Sequence, residues 1–349
     1  MPRNAIVGSL WASIALALPL GAQAPDEPAA PIVVHGLYNW VHSTADAERA
    51  SAFYRDVLGL SLAPSPFIPN AQAPEGIRPW AAVTPDEIIW SLTDTRGSRA
   101  RTVFMRAPNT PFGIELSEFI EIPREHRAAR PWDPGASRLI FRVRELDEVL
   151  AKVRGAPVVT TGARPLLVRG RRAVVVRDPD GYLVELQQAS DAEMRDAEPG
   201  QIIGTAIGLT VEDGARALEL YHGLLGFPVR REWQADAAEL ALNGLTAGRL
   251  VETATTIPGT AIEVVFSDFS LEGAPVTAEP FRWRIQDVGS PQLQLEVRGL
   301  DALIERARAA GYRFLSVGAR PIQRPFGRFV FAIDRDGVLV EYVEPASPP

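Results

Sequence analysis

The chain has 349 residues, a formal net charge of −7 and no cysteine. That length suits two domains rather than one, and a 46% hydrophobic content is enough apolar material for two cores. The acidic balance argues against a broad nucleic-acid footprint, which needs a basic face, and the missing cysteines exclude thiolate metal sites, thiol nucleophiles and disulfides.

Arg3, the apolar run from Ile6 to Leu20 and the small residues Gly21-Ala22-Gln23-Ala24 have the layout of a secretory signal. Residues 1–24 are therefore expected to direct export to the periplasm or beyond, with an uncleaved anchor as the alternative, and residues 25–31 to form a short linker. The run is short for a membrane span, and no second long apolar run follows. Asn39 to His42 then alternates as a strand. Asp46 is placed as the N-cap of a helix that carries Ala50, Phe53, Tyr54 and Leu58 on one face and ends at Gly59. Strand-like runs follow at Thr102 to Met105 and Gly113 to Phe119. A second unit has a strand from Leu139 to Val143, a helix from Leu146 to Val153 and a strand from Ala173 to Arg177. Asp178-Pro179-Asp180-Gly181 then turns the chain into a strand from Tyr182 to Gln187, since Asp-Gly between apolar runs signals a hairpin. Residues 191–200 are polar, end in Pro-Gly and are expected to be a linker.

The rest of the chain repeats this order. Gly162-Ala163-Arg164-Pro165 recurs as Gly318-Ala319-Arg320-Pro321, a constant offset of 156 that also carries Asp178, Asp180, Gly181 and Glu185 onto Asp334, Asp336, Gly337 and Glu341. Earlier in each copy, Asp46, Tyr54 and Gly59 match Asp213, Tyr221 and Gly226. Residues 32–190 and 201–346 are thus two copies of one design, and the chain holds four strand–helix–three-strand units.

Three spaced motifs carry a family resemblance: Asp46 with Phe53-Tyr54-Arg55-Asp56-Val57-Leu58-Gly59-Leu60, then Gly113-Ile114-Glu115-Leu116, then Asp178-Pro179-Asp180-Gly181-Tyr182-Leu183-Val184-Glu185-Leu186. Together they resemble the vicinal-oxygen-chelate superfamily of glyoxalases, bleomycin-resistance proteins and extradiol dioxygenases. The resemblance implies an α+β fold of tandem glyoxalase/dihydroxybiphenyl-dioxygenase-like domains, each with two βαβββ units forming a half-open β-barrel around a cleft. It also implies four inward ligand positions per domain: the middle of each unit's first strand and a Glu on its last strand. In the first domain these are Asn39, Glu115, Arg138 and Glu185; in the second, Ala206, Glu263, Gln292 and Glu341.

Arginine keeps its proton and repels a dication, so Arg138 is expected to bridge Glu115 and Glu185 or to clamp an anionic substrate. Glu263, Gln292 and Glu341 are expected to make an all-oxygen site for a divalent metal ion in the second domain. Neither set holds an imidazole, which disfavours iron-dioxygenase chemistry. Of the four histidines, His35 lies too far along its strand from Asn39 to share an ion with it, His42 points to the opposite face, and His222 sits on a helix surface. His126 is read as a surface residue, with general base as the alternative. Trp40, Trp80, Trp90, Trp132 and Phe112 line either a cleft or a core. Two functions stand. One is an exported lyase, isomerase or dioxygenase-like enzyme acting on a small oxygenated or aromatic molecule, with Glu115, Glu185 and Glu341 as acid–base groups and Arg138 or a metal steadying an oxyanion. The other is a non-catalytic protein of the bleomycin-resistance type that sequesters a small molecule. In both, the partner is a small molecule rather than a nucleic acid or a membrane.

Overall fold

The computed structural model describes residues 33–64, 77–153, 155–271 and 282–346. The expected signal (1–24) and the linker after it (25–31) lie outside the described residues. Among the described residues, no helix is long and apolar enough to cross a membrane.

Four units follow one another. The first is β1 (Val33–Ser43), α1 (Ala47–Leu58), β2 (Ser61–Ala63), α2 (Glu87–Thr93), β3 (Arg99–Arg106) and β4 (Gly113–Ile120). The second is β5 (Ser137–Val143), α3 (Leu146–Lys152), β6 (Leu166–Val168), β7 (Arg171–Arg177) and β8 (Leu183–Gln188). A one-turn helix, α4 (Asp191–Arg195), occupies the start of the expected linker, held by a capping box between Ser190 and Glu193. The third unit is β9 (Ile202–Val211), α5 (Gly214–Leu218), β10 (Val229–Gln234), α6 (Ala237–Leu242), β11 (Arg249–Thr256) and β12 (Glu263–Ser270). The fourth is β13 (Pro291–Arg298), α7 (Leu300–Ala309), β14 (Arg313–Phe314), β15 (Ile322–Arg324), β16 (Gly327–Ile333) and β17 (Leu339–Pro345).

Local chemistry sets the helix ends where the sequence places them. The Asp46 carboxylate accepts from the backbone N–H of Glu48 and Arg49, and Gly59 closes α1 at φ 75°, a left-handed cap that suits glycine. The Asp178 turn does more than reverse the chain. Its Oδ1 accepts the backbone N–H of Asp180 and Tyr182, each at 2.9 Å, and its Oδ2 accepts the Tyr54 hydroxyl of α1 at 3.1 Å. The repeat keeps the device: Asp334 takes the N–H of Asp336 and Val338, and Tyr221 donates to it at 2.8 Å. Each recurring Tyr–Asp pair therefore bolts the helix of one unit to the hairpin of the next.

The strands form two curled half-barrel sheets, as expected of the fold class. The first has the order β14-β16-β17-β13-β1-β4-β3-β2, with β15 on β16; the second has the order β10-β11-β12-β9-β5-β8-β7-β6. The units that share a sheet are not chain neighbours. The first unit joins the fourth through the antiparallel pair β1–β13, and the second joins the third through β5–β9. Each half of the chain thus gives one unit to each sheet. The helix-bearing faces of both sheets share one core, which includes Trp40, Tyr54, Phe141, Tyr221, Phe266 and Tyr342. The opposite, concave faces carry separate clusters. In the first sheet these are Phe119, Phe329, Phe331 and Leu339, with Leu92 of α2 over them; in the second they are Val168, Val175 and Leu183, with Leu242 of α6.

Candidate functional site

The concave face of the first sheet holds the polar set. Between Leu37 and Asn39 the pairing of β1 with β13 slips by one residue. Such a bulge re-aims side chains, and here it turns both Tyr38 and Asn39 to the concave face. Asn39 Nδ2 donates to Gln294 Oε1 at 3.1 Å. Gln294 Nε2 in turn donates to Glu115 Oε2 at 3.4 Å, and Ser117 Oγ donates to Glu115 Oε1 at 3.2 Å. Glu341 of β17 is the neighbour of Glu115 and Gln294. Asn39, Glu115, Gln294 and Glu341 are each at most 5% exposed. The Asn39 Oδ1 is buried without a hydrogen-bond partner. It fits only because β4 opens on Gly113, where a Cβ would lie 2.5 Å from it.

The electrostatics of this set are unusual. Neither Glu115 nor Glu341 forms an ion pair with a described residue. Burial pushes the Glu115 carboxyl up to about 7, with only Ser117 and Gln294 offsetting it. Burial, and then the nearby Glu115, raise Glu341 well above its ordinary value. Tyr38 is pushed up to about 12 by burial and by Glu296, Glu341 and Glu115, so its hydroxyl keeps its proton. An apolar wall closes the space. Phe119, Ile285, Phe331 and Leu339 pack together with Tyr38, and α2 adds Ile89 and Leu92. Two bonds tie α2 to the fourth unit: Arg324 to Asp86 at 2.6 Å, and Ser316 Oγ to the Leu92 carbonyl at 2.8 Å. A cavity of about 560 Å³ at the end of this sheet, lined by His35, Arg328 and Glu344 among others, takes in none of the four polar residues.

This set corrects two expectations. Glu263, Gln292 and Glu341 do not come together. Glu263 lies at the start of β12 in the other sheet, partly exposed and paired with Arg231 at 2.7 Å. Gln292 is on β13, but one rung away from the set, where it donates to Ser43 Oγ. The residue that faces Glu341 is Gln294, and the offset of 156 already carries Arg138 onto it. Equivalent contacts locate the other slip. Glu118 accepts the Ala47 N–H at the start of α1, and Asp268 accepts the Gly214 N–H at the start of α5. Three residues back from each stand Glu115 and Val265, so the third unit has no Glu at this place.

The second correction concerns Arg138. It does not touch Glu115, which is in the first sheet. On the concave face of the second sheet its Nε lies 3.1 Å from Glu185 Oε2 and its Nη2 3.0 Å from Glu252 Oε1, while Nη1 donates to Asn243 Oδ1 at 2.7 Å. The bridge to Glu185 is as expected; Glu252 and Asn243 were not legible, because they come from β11 and the end of α6 in the other half. Gly208 makes the room, since a Cβ there would lie 2.7 Å from Arg138 Cγ and Nε. Ala206 and Val265 complete this face, so a guanidinium and apolar groups stand where the first sheet has amides and a carboxylate.

The histidines take no part in either set. His42 is fully buried, stacked on Tyr182 with ring centroids 4.3 Å apart and 3.3 Å from Asp178. His126 Nε2 is 2.7 Å from the Asp180 carbonyl, and His222 Nδ1 2.9 Å from that of Phe227. His35 lies 3.6 Å from Glu296. Trp40 and Phe112 are core, Trp80 lies under Arg101, Trp90 donates to the Ser98 carbonyl, and Trp132 lies beside Arg130. Among the described residues, no three or more His, Asp or Glu side chains converge as a metal-binding group.

No curated protein matches the sequence. Among solved structures, the chain is similar to glyoxalase I from Zea mays, at 15% identity and a TM-score of 0.54, covering 90% of this chain and 93% of that one. A single-residue mutant of the same maize protein superposes with a TM-score of 0.56 at 16% identity, covering 90% and 94%. A candidate dioxygenase from Bacillus subtilis gives 0.51 at 13% identity, covering 91% and 86%. At such identities the likeness concerns the fold. The family description "Glyoxalase/Bleomycin resistance protein/Dioxygenase superfamily" matches residues 39–186 and again 204–342. With both halves matched and two curled sheets of paired βαβββ units, the chain belongs to the glyoxalase/bleomycin resistance protein/dioxygenase superfamily.

Proposed function

We propose that this protein takes a small oxygenated molecule with an apolar body at the concave face of the first sheet and moves a proton on it. One observation carries the reading: among the described residues, Glu115 and Glu341 share a buried wall with no cationic partner, beside an Asn39 oxygen with no hydrogen-bond partner. Two uncompensated carboxylates in an apolar site are costly for folding, and such costs are retained where a ligand or a reaction offsets them.

The donor set fits a hard divalent cation. Two carboxylates and the partnerless Asn39 Oδ1 are oxygen donors, which such ions prefer, and Gln294, whose Nε2 now donates to Glu115 and whose Oε1 accepts from Asn39, would add a further oxygen by turning its amide over. When bound, the ion would polarise adjacent oxygens of a substrate as a Lewis acid. The chain's own residues do the rest. Glu115, whose carboxyl burial pushes up to about 7 without the ion, would be a carboxylate beside it, and so the base that takes the substrate's proton and returns it. Tyr38 keeps its hydroxyl proton and can donate to a developing oxyanion. Asn39 holds Gln294 in place, and the wall of Phe119, Phe331 and Leu92 excludes water. The second sheet, with Arg138 in place of an amide, takes no cation in this reading. If residues 1–24 direct export as the sequence suggests, the reaction takes place outside the cytoplasm.

The test is calorimetric titration of the chelator-treated protein with Mn²⁺, beside a Glu115→Gln/Glu341→Gln variant. One site per chain in the wild type, lost in the variant, is expected. In deuterated water, wild-type protein should exchange the proton α to the carbonyl of small hydroxycarbonyl compounds, followed by NMR, and the variant should not. Mn²⁺ binding that survives in the variant sinks the cation assignment. Exchange that survives in it sinks the assignment of the acid–base groups.

A further inference from the structure

The concave face of the second sheet opens on a cavity of about 450 Å³, separate from the carboxylate pair of the first. Its charges are not evenly mixed. The buried floor carries three carboxylates, Glu185, Glu239 and Glu252, against the single guanidinium of Arg138. The rim carries four guanidiniums, Arg142, Arg169, Arg171 and Arg231, with side-chain exposures from 26% to 50%, against the two carboxylates Glu193 and Glu263.

The pairing leaves both excesses open. Glu252 is 6% exposed and receives both of its hydrogen bonds, from Arg138 and Ser267, on Oε1. No hydrogen bond to its Oε2 comes from a described residue, and Glu252 lines the cavity. Burial, and the nearby Glu185, push this carboxyl up despite Arg138. On the rim, Arg142 and Arg171 share Glu193. Arg169 reaches Glu239 only at 3.8 Å and lies over Trp233, 3.9 Å from the ring centroid. Arg231 bonds Glu263 through one nitrogen, Nη2, and lies over the same ring at 4.9 Å. The indole thus holds two guanidiniums in place with donors to spare.

We infer that this cavity is a second binding site of the protein, taking a small zwitterion of the amino-acid class, with the ligand's ammonium on the acidic floor at Glu252 and its carboxylate on the arginine rim at Arg231 and Arg169. A simple anion would meet the floor's negative excess, and a simple cation the rim's positive one. A molecule with both ends charged satisfies both, and the volume accommodates a free amino acid or a dipeptide. The site rests on its own residues and needs neither a metal ion nor the first sheet's carboxylates.

The test is calorimetry on the full chain with free α-amino acids and dipeptides, followed by the N-acetylated and the amidated forms of the best binder. One molecule per chain is expected, with affinity falling about tenfold or more when either end is capped. Glu252→Gln should bring the free ligand down to the affinity of its acetylated form. Arg231→Gln, at a half-exposed position that tolerates replacement, should bring it down to that of the amide. Three outcomes would overturn the inference: no member of the panel binding at millimolar concentration, capped and free forms binding alike, or both variants binding as the wild type does.

Discussion

Glu115 and Arg138, each buried on the concave face of its own sheet, carry opposite chemistry. Glu115 is a buried acid that pairs with no cation among the described residues, and its titration has a definite sign. The folded chain holds this proton up to about pH 7, against an ordinary value of 4.5. Between those values the folded state binds more protons than the unfolded one, so stability falls as pH rises through them. The contribution is complete below the ordinary value and gone above about 7. In chelator, the melting temperature of the wild type should therefore drop over this range, and Glu115→Gln should flatten the drop. A wild-type curve that is already flat would mean an ordinary carboxyl. Arg138 is the reverse case, a buried cation between Glu185 and Glu252. Arg138→Gln should cost about 3–5 kcal/mol near pH 8, because it strands two buried charges. The loss should be smaller near about pH 5, where the Glu252 carboxyl, already pushed up by burial, can take a proton instead. Denaturant unfolding at the two pH values checks both the cost and its direction.

At the scale of elements, the Asp-x-Asp-Gly turns are joints rather than active-site loops. Asp178 closes its own hairpin and receives Tyr54 from α1; Asp334 and Tyr221 do the same in the other half. Asp178→Ala removes all three bonds from one carboxylate, and a loss of about 3 kcal/mol is expected; Tyr54→Phe, which removes one, should cost about 1 kcal/mol. Urea unfolding measures both, and equal effects would show that the joint depends on Tyr54 alone. Strand β9 offers a second case. Gly208 leaves the space that lets Arg138 lie across the sheet, so Gly208→Ala should displace the guanidinium and cost about 1–3 kcal/mol through overpacking. A stability unchanged from the wild type would show that Arg138 has other room to occupy.

For the whole molecule, the chain order of the units and their pairing in space differ. The Tyr–Asp joints connect units that follow one another, whereas the sheets connect the first unit with the fourth and the second with the third. Residues 33–190 alone would leave β1 and β5 without their partners β13 and β9, exposing two long strand edges. That half should not persist as a folded monomer. It should dimerise or aggregate, and co-expression with residues 201–346 should restore a one-to-one complex, as light scattering after gel filtration would show. A stable, monomeric half would contradict this pairing of the sheets. The first-sheet site depends on the same exchange, since Asn39 and Glu115 come from one half of the chain and Gln294 and Glu341 from the other.

The sequence by itself determined the units. Caps such as Asp46 and Gly59, the Asp178 turn and the strand alternation are local chemistry, readable over a few residues, and the internal repeat multiplied that reading by four. It also marked Glu115, Glu185, Glu341 and Arg138 as residues out of place on buried strands. Which of them meet was decided only by the tertiary structure. β5 and β13 are both the first strands of repeated units, and nothing local tells β1 to pair with β13 rather than β5, so the sequence alone puts Arg138 beside Glu115, whereas its partners are Glu185, Glu252 and Asn243. The places given to Gln292 and Glu263 were slips of register: the offset of 156 carries Arg138 onto Gln294, and the β3–β4 and β11–β12 hairpins correspond at an offset of 150 that carries Glu115 onto Val265. A buried polar site is assembled from strands far apart in the chain, and its membership follows from strand pairing and register, which long-range packing sets.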